Sequence, residues 1–269
     1  FLRGEDFKEP QLQQVAREMN LSETTFIFPS SHPDADFDVR IFTPEKEIPF
    51  AGHPTLGTAF VLRDSGMLAS SQNKLRLKFK AGLIPVSLEE DGKIFMTQPS
   101  GKIFQTFMNK ERIAQALGLT ENNLDELLPV QSASTGFPAL LVPINSLRAM
   151  QRIVLNLSLL KELLDEVGVD MIYPFCRETV NGENTVHSRA FAPALGIPED
   201  PATGSVAGAM GAYWASINPE NKSKMVIEQG HAMHRPSLIY VELSKTQKIL
   251  VGGQCHPVFT GNMMLKREL

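Results

Sequence analysis

The chain has 269 residues and a mass of 29.7 kDa, which suits one large domain or two small ones. Its formal net charge of −4 and its scattered Lys and Arg residues exclude a basic surface for nucleic acid or an anionic membrane. No apolar run approaches the roughly 20 residues that a membrane span needs. The two cysteines, Cys176 and Cys255, are too few for a disulfide-dense secreted scaffold or a four-cysteine zinc site. We therefore expect a cytoplasmic protein that binds neither nucleic acid nor membrane.

The first part of the chain predicts a helix, two strands and a second helix. Apolar residues at helical spacing predict a helix over 9–20. Residues typical of strands predict strands within 21–28 and over 36–43. The Pro- and Gly-rich loop EKEIPFAGHPTLG follows, and after it we predict an apolar helix at about 55–66.

The second part begins with a predicted helix over 109–117, which Gly118 ends. The longest amphipathic pattern predicts a single helix over 147–167. A Pro- and Gly-rich loop, GIPEDPATGS, precedes a predicted helix at about 203–216. Strands are predicted over 139–144, 169–175, 185–192, 224–228, 237–243 and 248–252.

Two segments of the chain resemble each other. When RIFTPEKEIP (40–49) is placed over RAFAPALGIP (189–198) without gaps, five positions coincide. The order of elements around them is also the same: a strand, a Pro- and Gly-rich loop, and a helix of small residues. This pattern indicates an internal duplication, and it predicts two similar lobes that face each other across a cleft. The coinciding positions are Arg40/Arg189, Phe42/Phe191, Pro44/Pro193, Ile48/Ile197 and Pro49/Pro198.

The two helix starts that follow these loops are candidate anion sites. The first N–H groups of a helix have no partner within it, and the helix dipole attracts negative charge to that end. If the lobes are related by pseudo-symmetry, both helix starts face one cleft and could hold a small carboxylate between them. The alternative is that both are ordinary strand–loop–helix connections, which are common.

Few polar residues lie near these loops. His53 lies in AGHPTLG, while Asp200, Thr203 and Ser205 lie in EDPATGS. Glu23 lies in LSETTF, between a predicted helix and a predicted strand. There we expect burial to raise its pKa, which would suit general acid–base chemistry. A capping role explains Glu23 poorly, because strand-like residues follow it.

Five segments in the same order resemble the PhzF-like family of phenazine biosynthesis over nearly the whole chain: LSETTF, AGHPTLGTA, STGFPALLVP, EDPATGS and EQGHAMHRPS. The resemblance implies an α+β fold like that of diaminopimelate epimerase, with two pseudo-symmetric lobes, each a curled and mostly antiparallel sheet around a central helix. We predict lobes at 1–108 and 109–257, with 258–269 returning to the first lobe. The resemblance also implies a homodimer. Because family members open with a strand and a Gly-Asn-Pro loop, we expect such a segment to precede Phe1.

The family is associated with isomerisation without a cofactor, such as moving a hydrogen within a dihydro-hydroxyanthranilate ring. The resemblance therefore implies that Glu23 takes a proton from one carbon of a small carboxylate and returns it to another carbon on the same face. His53 and Asp200 would orient the substrate, and the N–H groups around Gly204 and Ser205 would hold its carboxylate. Gly52 matches a further substrate-contacting position. Neither a cofactor nor a metal is implied.

The cysteines depart from the pattern of diaminopimelate epimerases, which carry one cysteine in each of these two loops. Here the loops contain no cysteine, and Cys176 and Cys255 lie elsewhere. A two-thiol racemase is therefore not predicted, and both cysteines are interpreted as packing residues.

Three alternatives remain open. Glu228, His231 and His234 have a spacing that could bind metal on a helix, but Gly230 and Pro236 indicate a loop with ordinary histidines. A member of the family that only binds a ligand or a protein would keep the fold and the cleft without the chemistry. A hydrolase using Ser205 is the weakest, because the chain has no G-x-S-x-G motif around that serine.

Overall fold

The computed structural model describes residues 1–218, 224–243 and 248–264, which contain six α-helices and sixteen strands. The helices are α1 (Glu9–Met19), α2 (Gly52–Asp64), α3 (Lys110–Ala116), α4 (Leu147–Gln151), α5 (Leu157–Val167) and α6 (Gly204–Ile217). The first eight strands are β1 (Thr24–Pro29), β2 (Phe37–Phe42), β3 (Glu47–Ile48), β4 (Lys74–Phe79), β5 (Gly82–Leu88), β6 (Ile94–Gln98), β7 (Lys102–Thr106) and β8 (Gln131–Ser134). The remaining strands are β9 (Pro138–Ile144), β10 (Ile172–Cys176), β11 (Val186–Ser188), β12 (Ala190–Ala192), β13 (Ile197–Asp200), β14 (Lys224–Gln229), β15 (Ser237–Leu243) and β16 (Ile249–Gly253).

The strands form one hydrogen-bonded path in the order β1-β2-β4-β5-β6-β16-β15-β14-β11-β10-β9-β8-β7. Strand β3 pairs with β2, while β12 pairs with β10 and β13. Most neighbours are antiparallel; among the described strands, the parallel pairs are β2–β4, β9–β10 and β11–β14. In the middle of this path β6 pairs with β16, which joins the strands of the first part of the chain to the remaining strands. This mixed and mostly antiparallel arrangement agrees with the predicted α+β class.

Helices α2 and α6 pack against the main core with apolar residues such as Leu62 and Met210, each with no exposed surface. Helix α6 is apolar on nearly every side, as expected of a helix enclosed by a sheet. Its small residues permit close packing. A Cβ on Gly208 would lie 2.0 Å from Gln98 Oε1, and one on Gly211 would lie 2.5 Å from Val241 Cγ1. The start of α6 is therefore held in place by its surroundings.

The internal duplication is visible as a repeated ion pair. Arg40 on β2 pairs with Glu47 on β3, and its Nε lies 2.8 Å from Glu47 Oε1. Arg189 lies directly before β12 and pairs with Glu199 on β13 through its Nε and Nη2, at 2.8 and 2.7 Å. Arg40 uses the same two nitrogens toward Glu47. Each guanidinium also lies over the phenylalanine two residues later, 5.1 and 4.8 Å from the ring centroid. The matched arginines thus make the same kinds of contact in both halves, although their glutamate partners stand at different positions of the repeat.

Two predicted helices differ in the structure. The single helix predicted over 147–167 is wrong, because two helices occupy it. The backbone between them bonds to the end of α3: Val154 N donates to Leu117 O at 3.1 Å, and Asn156 N donates to Ala116 O at 2.9 Å. These bonds to a distant segment replace those of a continuous helix. Helix α2 also begins about three residues before the predicted start, within the Pro- and Gly-rich loop.

The division into lobes at residue 108 stays a prediction, and so does the return of the C-terminal segment to the first lobe. Strand β7 precedes that boundary and pairs with β8 beyond it. Residues 258–264 have no regular secondary structure, and 265–269 lie outside the described residues. Among the helices in the described ranges, none is both long and apolar enough to cross a membrane.

Candidate functional site

Glu23 and His53 come together from two elements. Glu23 lies directly before β1, and His53 lies in the first turn of α2. Glu23 Oε2 lies 3.0 Å from His53 Nε2. The glutamate side chain is 17% exposed and the histidine side chain 59% exposed, so the pair lies at the protein surface with its acid turned inward. A bond of 3.3 Å from Thr58 Oγ1 to Thr25 Oγ1 joins α2 to β1 beside the pair.

The expectation of a raised pKa for Glu23 is wrong. Burial does raise the pKa of this carboxyl, but the neighbouring His53 and Ser22 side chains lower it by more, so the pKa lies below its ordinary value. Glu23 is therefore ionised at neutral pH. The contact of its buried Oε2 with His53 is close but poorly directed, and among the described residues this oxygen accepts no well-aligned hydrogen bond. The carboxylate as a whole is ionised and can therefore act as a base.

The N-termini of α2 and α6 lie side by side. A Cβ on Gly52 would lie 3.8 Å from the backbone nitrogen of Ser205 and 3.9 Å from the carbonyl carbon of Gly204. The same Cβ would lie 3.1 Å from the terminal methyl of Met96. The backbones of the two helix starts are therefore about one methyl group apart, as the duplicated loops predict.

Neither helix start is capped by a side chain: Ala51 precedes α2 and Thr203 precedes α6, and neither side chain accepts a hydrogen bond from the helix. The backbone N–H groups of both first turns therefore keep donor capacity, and two helix dipoles place partial positive charge at one location. Such a pair of ends favours an anionic group.

Asp200 ends β13, and its carboxylate is held by the residue that precedes α6. Thr203 Oγ1 donates to Asp200 Oδ2 at 2.6 Å. The sequence interpretation noted Thr203 but missed two buried glutamines at this place. Gln229 bonds to Asp200 and Thr203, and Gln98 Nε2 donates to Gly204 O at 2.8 Å. The motif EQGHAMHRPS contains Gln229 and could have identified it; no pattern marks Gln98.

The structure thus groups the predicted residues into three contacts: Glu23 with His53, Gly52 with Gly204 and Ser205, and Asp200 with Thr203. Surface grooves of about 680 and 780 Å³ lie beside β2 and β7 and contain none of the predicted site residues. The candidate site is therefore identified by the geometry of its helix ends and charged side chains.

The histidines considered as metal ligands form a different group from the one predicted. His187 Nδ1 lies 3.0 Å from Glu228 Oε2, and the ring of His231 lies 5.0 Å from that of His187, whereas His234 is exposed. These three groups lie close enough to be considered for a metal ion. However, Glu228 already accepts bonds from His187, from the backbone nitrogens of 180 and 181 and from Asn184 Nδ2. Its lone pairs are used, so it holds the 180–184 loop.

Both cysteines are packing residues in this structure. Burial raises the pKa of the Cys176 thiol to about 12 and also raises that of Cys255. Thiolate is the reactive form, so neither sulfur is activated as a nucleophile or base. This agrees with the interpretation of both residues from the sequence.

Comparisons with known proteins agree with the fold. A family model described as phenazine biosynthesis-like protein matches residues 1–261. The uncharacterized isomerase YfhB of Bacillus subtilis is 34% identical over 248 residues, which cover 91% of this chain and 84% of that protein. The crystal structure of a PhzF-family phenazine biosynthesis protein of Bacillus anthracis is 31% identical, with a TM-score of 0.82, and the match covers 93% of this chain and 87% of that one.

A probable proline racemase of Agrobacterium radiobacter shares the fold at 13% identity and a TM-score of 0.57, over 92% of this chain and 79% of that one. The predicted fold class, that of diaminopimelate epimerase, is thereby confirmed, and the same architecture is shared with a racemase.

Proposed function

The chain belongs to the phenazine biosynthesis-like family, and from that membership we propose that it is an isomerase that needs no cofactor and moves a proton between carbons of a small carboxylate. The observation that carries the proposal is the Glu23–His53 pair, which joins an ionised, mostly buried carboxylate to a half-exposed imidazole in the first turn of α2. Similarity to proteins named as isomerases supports the reaction class.

Glu23 would act as the base and then as the acid. Its ionised carboxylate takes a proton from a substrate carbon, and the electron pair of that C–H bond is delocalised within the substrate. While it is protonated, the carboxyl can exchange its hydrogen with water. It then gives a proton to a second carbon on the same face, and Glu23 is ionised again. No net oxidation or reduction occurs, so the cycle needs no co-reactant. His53 would orient the substrate against this carboxylate, because its exposed ring adjoins Glu23.

The uncapped starts of α2 and α6 would hold the carboxylate of the substrate. Gly52, Gly204 and Ser205 contribute backbone to the place where the two helices meet. Negative charge that develops on the substrate during proton removal would be stabilised by the same N–H groups and dipoles. Asp200 would contact the substrate from the other loop and orient it or relay a proton.

Replacement of Glu23 tests the proposal. The protein is incubated in heavy water with a panel of small carboxylates that includes proline and a dihydro-hydroxyanthranilate, and mass spectrometry records deuterium gained at carbon. We expect E23Q to reduce the exchange rate by about two to four orders of magnitude, because an amide cannot take up the proton. Glu47→Gln is the matched control, since Glu47 is a partly buried glutamate of the same half that pairs with Arg40 instead.

Unchanged exchange in E23Q would remove Glu23 from the mechanism. Panel members that bind tightly to the wild-type protein but gain no deuterium would favour a member of the family that only binds ligands. Equal losses in E23Q and E47Q would indicate damage to the fold instead of loss of the base.

A further inference from the structure

We infer that Gln229 is a positioning residue of the candidate site: its buried side-chain amide sets the conformation of the Asp200–Thr203 loop and, through it, the start of α6. This inference rests on the proposed function, since it concerns how the same site is held. Gln229 is the last residue of β14 and has no exposed surface.

The amide of Gln229 makes four hydrogen bonds, three of them to the loop. Its Nε2 donates to Asp200 O at 2.7 Å and to Thr203 Oγ1 at 2.8 Å. Its Oε1 accepts from Thr203 N at 3.2 Å and from Tyr173 OH at 3.1 Å. The two donors and two acceptor positions of the amide are all used. A buried amide with this pattern has one orientation, because losing any of these bonds would leave a polar group unsatisfied.

The backbone partners determine which way the amide points. Thr203 N can only donate, so it must face Oε1, while Asp200 O can only accept, so it must face Nε2. A carboxylate at position 229 could satisfy the first of these bonds but not the second. The loop therefore requires an amide at this position.

The same amide orients the hydroxyl of Thr203. Because Thr203 Oγ1 accepts from Gln229 Nε2, its own proton is directed to Asp200 Oδ2, which lies 2.6 Å away. Asp200 is thereby held at two places: its backbone carbonyl accepts from Gln229, and its side-chain Oδ2 accepts from Thr203. Gln229 reaches the candidate site only through Asp200 and Thr203, so its effect on chemistry would be indirect.

The residue that follows Gln229 also packs against this loop. Gly230 has a φ of +83°, and a Cβ there would lie 2.7 Å from Pro201 O and 2.2 Å from Arg235 O. Positive φ and this close approach both require glycine. The pair Gln229-Gly230 therefore supports the loop along most of its length, by hydrogen bonds at one residue and by backbone contact at the next.

The experiment compares full-length variants by two readouts. Gln229→Met keeps the side-chain volume but removes all four bonds, and Tyr173→Phe is the matched control, because it removes one bond to Gln229 Oε1 and leaves both donors to the loop. The first readout needs no substrate: backbone hydrogen exchange of peptides covering 200–206, followed by mass spectrometry. We expect exchange there to rise by about tenfold or more in Q229M, the factor that corresponds to losing one hydrogen bond, and to stay near the wild-type rate in Y173F.

The second readout is turnover of whichever carboxylate of the panel exchanges its carbon-bound hydrogen. We expect Q229M to lower kcat more than it raises KM, because Asp200 would be displaced further than the start of α6, which Gln98 also holds through Gly204 O. Unchanged exchange over 200–206 in a folded Q229M would overturn the inference. If Q229M does not fold, Thr203→Ser and Thr203→Val replace it in the test, because serine keeps the hydroxyl that links Gln229 to Asp200 and valine removes it. Equal hydrogen exchange over 200–206 in these two variants would overturn the inference. A wild-type protein inactive toward the whole panel would count against the proposed function, yet the hydrogen-exchange readout would still test Gln229.

Discussion

Single residues of the candidate site depend on neighbours from other elements. Glu23 and His53 are identifiable from the motifs LSETTF and AGHPTLG. The lowered pKa of Glu23 was not predictable, because its main causes include contact with a histidine that only the packing of α2 against β1 supplies. Gln229 was missed for a related reason, since the three residues that receive its four hydrogen bonds lie at distant positions in the chain.

Gly52 offers a test at this scale. Gly52→Ala would place a methyl group where the starts of α2 and α6 meet, and only the flexible end of Met96 would have to move. We expect thermal unfolding to shift by no more than about 3 °C. Deuterium transfer to substrate should fall by about tenfold or more, because the methyl would occupy the place where we propose that the substrate carboxylate binds.

Gly57→Ala on the same helix is the control, because a Cβ there meets nothing within 4 Å. This variant should keep its turnover and gain up to about 1 kcal/mol of stability, as alanine replaces glycine in a helix. If G52A and G57A have equal turnover, the meeting point of the helices is not where substrate binds.

Among the secondary-structure elements, those with a local signal were predictable and those set by distant contacts were not. The spacing of apolar residues correctly predicts α1, α3 and α6. The break between α4 and α5 follows from backbone bonds to the end of α3, which no pattern within 147–167 records. The duplication was predictable because five residues, including an arginine in each half, coincide in the sequence; the ion pair of each arginine was not, because the two glutamate partners stand at different positions of the repeat.

The two ion pairs differ in burial, which gives a prediction. Arg189 is 11% exposed and its partner Glu199 15%, whereas Arg40 is 28% exposed and Glu47 24%. We expect Arg189→Met to lower the free energy of unfolding by about 3 kcal/mol, because it leaves a buried carboxylate unpaired. Arg40→Met should cost about 1 kcal/mol, as its pair is nearer to water. Urea denaturation of both variants measures the difference, and equal losses would contradict the expected effect of burial.

At the scale of the whole molecule, the pairing of β6 with β16 joins the strands up to β6 to those from β7 onward in one sheet. The fold class was predictable through the duplication and the family resemblance, but neither indicates which distant strands pair. Gly252 on β16 marks the closeness of this contact: a Cβ there would lie 2.5 Å from the ring of Phe95 and 2.6 Å from Ile94 O. The predicted homodimer and the predicted cytoplasmic location are properties beyond the single chain, and both stay predictions.

Substitution at this contact should destabilise the entire molecule. We expect Gly252→Ala to lower the free energy of unfolding by about 2 kcal/mol, because the backbone of β6 cannot move away without breaking its hydrogen bonds. Gly253→Ala is the neighbouring control, since the closest atom to its Cβ would be 3.7 Å away, and we expect a change within about 0.5 kcal/mol. Thermal and urea unfolding measure both. A G252A protein as stable as G253A would show that the contact between β6 and β16 is looser than described.

The position of β16 in the chain also has a consequence during synthesis. Strand β6 has β5 on one side, but its other neighbour is β16, which the ribosome adds about 150 residues later. At ordinary translation rates, the backbone groups along that side of β6 have no strand partner for on the order of ten seconds, until β16 is synthesised. The nascent first half is therefore an open-edged sheet with part of its core uncovered, a form that invites pairing with other chains. Because the last strand joins the two parts of the sheet, we expect chains that stop before residue 249 to aggregate slowly. We also expect the nascent chain to need protection by a chaperone.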